Sequence, residues 1–151
     1  MQRLDANALS PQGRQALLAL HEHVGNSGLE RSLLDLINVR ASQINGCGYC
    51  LWLHHREALA HGERAERLHV LPAWREVDAF SPRERAALAW TEAVTRIADG
   101  GVDDALYAEA RMHFDEAELV ALNYAAIEIN AWNRLAIPFR KAPPGLKPPA
   151  A

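Results

Sequence analysis

Apolar residues recur at three- and four-residue spacing along most of the chain, and turn residues cut this rhythm into segments of helical length. Ser10-Pro11 pairs a capping residue with a proline suited to the first helical position, and Leu17, Leu18, Leu20 and Val24 follow at roughly helical spacing. The Gly25-Asn26-Ser27-Gly28 cluster ends that element. From Leu29 to Ile44, the positions Leu33, Leu34, Leu36, Ile37, Val39 and Ile44 give a wide apolar face, with Glu30, Arg31 and Arg40 left for other surfaces. Asn45-Gly46 breaks this second helix, and a third is predicted from close to Cys47 to His61-Gly62, where Gly62 suits the left-handed position beyond a helix end. A short helix from Glu63 to about Leu71 follows and is interrupted by Pro72. Ser81-Pro82-Arg83-Glu84 supplies a capping serine, a proline and a glutamate in the positions that start a helix, which runs through Ala98 to Asp99-Gly100-Gly101. Residues 102–113 support a sixth helix, and Asp115 with Glu118 repeats the capping arrangement for a seventh, Glu116 to Ala136.

This pattern predicts an all-α fold: a single helical domain of about six to seven helices over residues 1–140. No stretch alternates with period two, and the one Asn-Gly lies between helical patterns rather than between apolar strands. The last helix carries Leu119, Val120, Leu122, Tyr124, Ile127, Ile129, Trp132 and Leu135 around much of its circumference. A helix apolar on most sides is buried on most sides, so part of this face is expected to meet another copy in a homo-oligomer. Residues 141–151 hold Pro143, Pro144, Pro148 and Pro149 and are expected to form an extended or poorly ordered tail.

Composition narrows the partners. At 151 residues and 49% hydrophobic content the chain can bury one real core and is short for two. A net charge of -3, with no run of lysine or arginine, gives no footprint for nucleic acid. No apolar run is long enough to span a bilayer and the first thirty residues lack an apolar signal core, so a soluble, cytoplasmic protein is expected. Phosphate loops, Gly-x-Ser-x-Gly elbows and His-Glu-x-x-His zinc motifs are absent from the sequence.

The chemistry concentrates in Asn45 to His55. Cys47 and Cys50 are the only cysteines, spaced Cys-x-x-Cys, and His54 follows four residues later. On a helix, positions 47, 50 and 54 share one face. The thiolate is the reactive form of cysteine, and a helix N-terminus, a nearby imidazole and the Cys-x-x-Cys arrangement all favour it. Cys47 falls in the first turn, where the helix dipole favours an anion, while His54 lies one turn beyond Cys50 and is placed to take its proton. Oxidation of one thiol to a sulfenate can then be resolved by the other as a disulfide. If the two flanking helices fold back as a hairpin, Asp35 on the preceding helix could reach and orient the imidazole. Zinc is a competing use of Cys47, Cys50, His54 and His55, but no second Cys or His pair follows, so neither metal nor cofactor is expected. Inert packing of two small apolar thiols is the other alternative. Trp52 and His55 are expected to face away from the thiols. His21, His23, His61, His69 and His113 are expected at surface or capping positions, and Trp74, Trp90 and Trp132 in the core.

The run from Arg40 through Asn45-Gly46-Cys47-Gly48-Tyr49-Cys50 to His54, followed by Glu57-Ala58 and Ala60-His61-Gly62-Glu63, resembles the core of the alkylhydroperoxidase D-like proteins of the carboxymuconolactone decarboxylase superfamily. Leu71-Pro72-Ala73-Trp74, Phe80 to Leu88 and Asn130 to Arg134 are similar to the same group, so the resemblance spans most of residues 29–137. It implies a helical trimer or hexamer with thiol-dependent peroxidase activity on organic hydroperoxides or hydrogen peroxide, restored by a lipoyl-bearing or thioredoxin-like dithiol. It also implies that the cysteine nearer the histidine, Cys50, attacks the peroxide and that Cys47 resolves it, whereas the helix dipole alone favours Cys47 as the attacker. In the family's best-studied proton relay a glutamate stands where this chain has Asp35 and a histidine where it has Tyr49, a side chain whose pKa near 10 does not shuttle protons at neutral pH. A non-catalytic or redox-responsive helical oligomer, or a lactone decarboxylase-like protein, would share the fold.

Overall fold

The computed structural model describes residues 2–146, and every regular element among them is helical. In chain order these are α1 (Ala6–Leu9), α2 (Pro11–Gly25), α3 (Arg31–Asn45), α4 (Gly48–Ala60), α5 (Ala65–Val70), α6 (Pro82–Thr95), α7 (Asp104–His113) and α8 (Glu116–Ala136). Short 3-10 segments, Leu71–Glu76 and Ile97–Asp99, precede and follow α6. The all-α reading holds, with one helix more than expected. The four residues of α1 are too few to show a hydrophobic period, and the turn is held by the Asp5 side chain accepting from the backbone N–H groups of Asn7 and Ala8. The short helix before Pro72 ends as expected, at Val70, and a 3-10 segment kinked at Ala73 follows from Leu71.

α3 is the central element. Leu36, Ile37, Val39, Ala41 and Ser42 are fully enclosed, because the helix packs against α4, α6 and α8 at once. One side of α3, through Leu33, Leu34, Ile37 and Ala41, joins Ala87 and Trp90 of α6, Phe114, and Leu122 and Ile129 of α8. The other side, through Leu36 and Val39, joins Ala58, Leu68, Leu71, Trp74, Phe80 and Leu88. The predicted starts of α6 and α8 are real capping boxes: Ser81 with Glu84, and Asp115 with Glu118, exchange side-chain and backbone hydrogen bonds.

The α3–α4 corner places the cysteines. Gly46 ends α3 in the left-handed conformation, φ 68°, which glycine adopts without a Cβ penalty. The chain can then turn at once, so that Cys47 N–H donates to the Ser42 carbonyl at 3.0 Å and Cys47 becomes the N-cap of α4. A partly buried amide cluster fixes this corner to α8: Asn45 donates to the side-chain oxygens of Asn130 (2.9 Å) and Asn133 (2.8 Å), and Asn133 donates to the Ser42 hydroxyl (3.2 Å). Beyond α8, residues 141–146 of the expected tail form no helix, and 147–151 lie outside the described residues. No helix among the described residues is long and apolar enough to cross a membrane.

Candidate active site

Cys47 and Cys50 are joined as a disulfide with a Cα–Cα distance of 5.3 Å, inside the range that a disulfide spans. The Cys47 sulfur also receives the Cys50 backbone N–H at 3.4 Å, so the first turn of α4 directs an amide dipole at that sulfur. Both residues are nearly inaccessible, at 1% and 2% exposure, yet they are not equivalent. Cys50 forms part of the wall of a cavity of about 250 Å³, whereas Cys47 sits behind it among Ala136 and Tyr49.

The cavity is bounded by α2, α4 and α8 and walled mainly by Leu18, Leu53, Trp132, Leu135 and Phe139. The N-terminal segment from Gln2 to Asn7 forms another side of it. That segment is tied down by Arg3, whose backbone N–H donates to the Phe139 carbonyl at 2.9 Å and whose guanidinium donates to the Pro138 carbonyl at 3.0 Å. An apolar chamber of this kind lowers the local dielectric around any charge that develops in it.

His54 faces the same cavity, one turn after Cys50, and is 8% exposed. The carboxylate that meets it is Glu57, whose Oε2 lies 2.8 Å from Nδ1. A carboxylate accepts, so Nδ1 carries the proton and Nε2 is left as a base. The hydrogen bond from His54 holds the Glu57 carboxyl below the usual range, against the opposing effect of burial.

The structure does not bring Asp35 to His54. Its Oδ2 instead lies 2.8 Å from His61 Nδ1, and its other oxygen lies 3.6 Å from Arg31 Nε. The reason is the register of the hairpin: turning between 46 and 47, it sets Asp35 level with residue 58, about one helical turn beyond His54. Burial raises the Asp35 carboxyl above its ordinary range, partly offset by the contact with His61. His61, exposed and capping the end of α4 as expected, is also the partner of this buried carboxylate.

Two cavity residues were not expected from the sequence. Glu128, on the inner side of α8, has a side chain only 4% exposed, and its Oε1 lies 3.1 Å from Nδ1 of His21 on α2. The same oxygen accepts from the Trp132 indole N–H. The hydrogen bond to Glu128 raises His21 above the ordinary imidazole range, against the opposing effect of burial. A signal was available: Glu128 stands between Ile127 and Ile129 in the most apolar helix of the chain. Trp132, expected in the core, is only partly buried and faces the cavity, while Trp74 and Trp90 are buried as expected.

Tyr49 borders the cavity with the Lys141 ammonium 4.0 Å from its ring centre. Trp52 and His55 do not line the cavity; Trp52 carries the Arg56 guanidinium 4.7 Å from its ring centre. Among the described residues, no group of three or more His, Cys, Asp or Glu side chains is arranged to hold a metal ion.

Residues 11–93 match the model of the carboxymuconolactone decarboxylase family. An uncharacterised protein of Bacillus subtilis, YdfG, is 37% identical, with 90% of this chain and 92% of that protein covered. A solved structure from Agrobacterium tumefaciens, of a protein of unknown function provisionally named as the antioxidant defence protein AhpD, superimposes with a TM-score of 0.93 at 37% identity, covering 97% of this chain and all of that one. A shorter likeness, 40% over 47 residues, covers 31% of this chain and 26% of the alkyl hydroperoxide reductase AhpD of Hyphomonas neptunium. The chain thus belongs to the carboxymuconolactone decarboxylase family, as an AhpD-like member of it.

Proposed function

We propose that the protein is a thiol-dependent peroxidase in which Cys50 attacks the peroxide, Cys47 resolves the product and His54 accepts the Cys50 proton. The observation that carries this reading is the asymmetry of the pair. Cys50 alone of the two cysteines opens into the apolar cavity, beside an imidazole oriented by Glu57. The helix N-terminus directs an amide at the Cys47 sulfur, but only the sulfur that a substrate can reach can attack it. His54 Nε2 takes the thiol proton, and the Cys50 thiolate attacks a peroxide oxygen; the O–O bond breaks and the sulfur becomes a sulfenic acid. Cys47 then attacks that sulfur, water leaves, and the disulfide forms across the 5.3 Å separation of the two α-carbons. An external dithiol, lipoyl-bearing or thioredoxin-like, closes the cycle by exchange.

The test is peroxide consumption with a small dithiol as reductant. Wild-type protein is expected to turn over an organic hydroperoxide or hydrogen peroxide, and His54→Ala to be slower by roughly 10²-fold. Equal rates in the two proteins, or no turnover by the wild type, would count against the assignment and leave a redox-responsive, non-catalytic oligomer as the better account.

Self-association, as a trimer or hexamer, belongs to the same proposal. Val120, Tyr124 and Ile127 are 57%, 41% and 42% exposed and lie one turn apart along the outer face of α8. Light scattering at micromolar concentration is expected to give a multiple of the chain mass; a monodisperse monomer would refute it.

A further inference from the structure

The cavity contains a second imidazole–carboxylate pair that the thiol chemistry above leaves unused. We propose that His21, held by Glu128, donates the proton to the oxygen that leaves when Cys50 attacks the peroxide. This role rests on the peroxidase reading.

Two imidazole–carboxylate pairs line one cavity, His54 with Glu57 on α4 and His21 of α2 with Glu128 of α8. Glu128 is carried inward by α8, and among the described residues its ion-pair partner is His21. A carboxylate taken out of water is costly unless paired and hydrogen-bonded. Its needs are met here by the Trp132 N–H and by His21 Nδ1, which makes the protonated form of His21 the favourable one. With Nδ1 engaged by Glu128, Nε2–H is the group available to a molecule in the cavity. The other charged and titratable groups around it are Glu57, His54 and Tyr49 on α4, Arg31 on α3, and Asp5, Arg14 and Lys141, which border the same cavity. The hydrogen bond to Glu128 outweighs burial and Arg31, which oppose the imidazolium, and Glu57 adds to it. The His21 side chain is 49% exposed, so it can recover a proton from solvent between turnovers.

The step balances. The Cys50 thiolate attacks the terminal oxygen of R–O–O–H; the S–O bond forms and the O–O bond breaks. Sulfur is oxidised to the sulfenic acid, and the electron pair of the broken bond leaves on R–O⁻. That alkoxide takes the Nε2 proton of His21 and departs as the alcohol. His54, paired with Glu57, has already removed the thiol proton, so the two imidazoles move protons in opposite directions. An alkoxide is a poor leaving group in an apolar chamber, which is where a positioned acid contributes most.

The dependence on the leaving group separates this role from a structural one. Reduced wild-type and His21→Gln proteins are mixed, in single turnovers, with a tertiary alkyl hydroperoxide and with an aryl peracid, whose carboxylate departs without needing a proton. His21→Gln is expected to slow sulfenate formation from the alkyl hydroperoxide by about 10²-fold. Its rate with the peracid is expected to stay near that of the wild type, and so is alkylation of Cys50 by iodoacetamide. Equal losses with both oxidants, or slower alkylation, would assign His21 a purely structural part and overturn the proposal, as would an unchanged rate with the alkyl hydroperoxide. A wild-type protein inert to both oxidants would instead remove the peroxidase reading on which the proposal stands. Because His21 is half exposed, its replacement is not expected to unfold the protein, and a thermal melt of the variant checks this.

Discussion

Cys50→Ser is expected to abolish peroxide consumption, with a residual rate at the level of the buffer, while Cys47→Ser is expected to react once and stop. The difference follows from where the two sulfurs sit. Only Cys50 meets the cavity, so its loss removes the nucleophile, and the one cysteine left, Cys47, does not line the cavity. Loss of Cys47 leaves Cys50, His54 and Glu57 in place, so the first chemical step survives. What is missing is the thiol that would condense with the sulfenic acid, and the enclosed position of Cys50 slows any external thiol that might substitute. Steady-state assays would show both variants as inactive; stopped-flow measurement of the first turnover distinguishes them. A Cys47→Ser protein that shows no burst, together with a Cys50→Ser protein that does, would invert the two roles and restore the attacker favoured by the helix dipole alone.

Glu92→Ala is expected to cost about 3–5 kcal/mol of stability, a large share of the roughly 5–15 kcal/mol that holds a domain of this kind together. Glu92 joins three elements: its Oε1 accepts from Arg40 Nε of α3 at 2.8 Å and from the Trp74 indole at 2.9 Å, and its Oε2 accepts from Arg75 at 2.6 Å. Its side chain is 9% exposed and that of Arg40 is 11% exposed, so truncation strands a guanidinium largely away from water. Burial acts to raise the Glu92 carboxyl, but the hydrogen bonds from Trp74, Arg75 and Arg40 outweigh it and hold the group below its ordinary 4.5. A carboxyl depressed on folding contributes stability that is complete above the unfolded value and is lost as the pH falls through the folded one. The variant is therefore expected to melt roughly 10 °C lower at neutral pH, with the gap to wild type narrowing below pH 4.5. Melting curves that coincide at neutral pH would show that the cluster contributes nothing net.

How much of this was legible beforehand depended on the range of the interaction. Helices α2 to α8 followed from local periodicity, and the boxes at Ser81 and Asp115 followed from capping chemistry confined to four residues. Cys50 and His54 line the same cavity one turn apart because that spacing is intrinsic to a helix, whereas Cys47, expected on the same face, is the extended N-cap of α4 and does not line it. Glu57 is an i+3 neighbour of His54 and could have been read the same way. Asp35 was a matter of register: the expected hairpin forms, but measuring it from Gly46 places Asp35 beside His61, past His54. The pairing of His21 with Glu128 spans 107 residues and depends on how α2 docks on α8, which no local pattern encodes. The sequence held one trace of it, a glutamate in an otherwise apolar helix, and a buried charge is more informative than an exposed one. The breadth of the apolar surface on α8 was also visible in advance; in the structure its inner face meets α3 and α6, while Val120, Tyr124 and Ile127 remain uncovered.

The central claim is that a peroxide oxygen is transferred to Cys50. The most direct measurement treats reduced Cys47→Ser protein with one equivalent of an organic hydroperoxide, traps sulfenic acid with a dimedone-type reagent and locates the adduct by peptide mass spectrometry. The account predicts near-stoichiometric trapping on Cys50 within the first turnover. A Cys50 that stays a thiol, still open to alkylation while the hydroperoxide remains unconsumed, would contradict it.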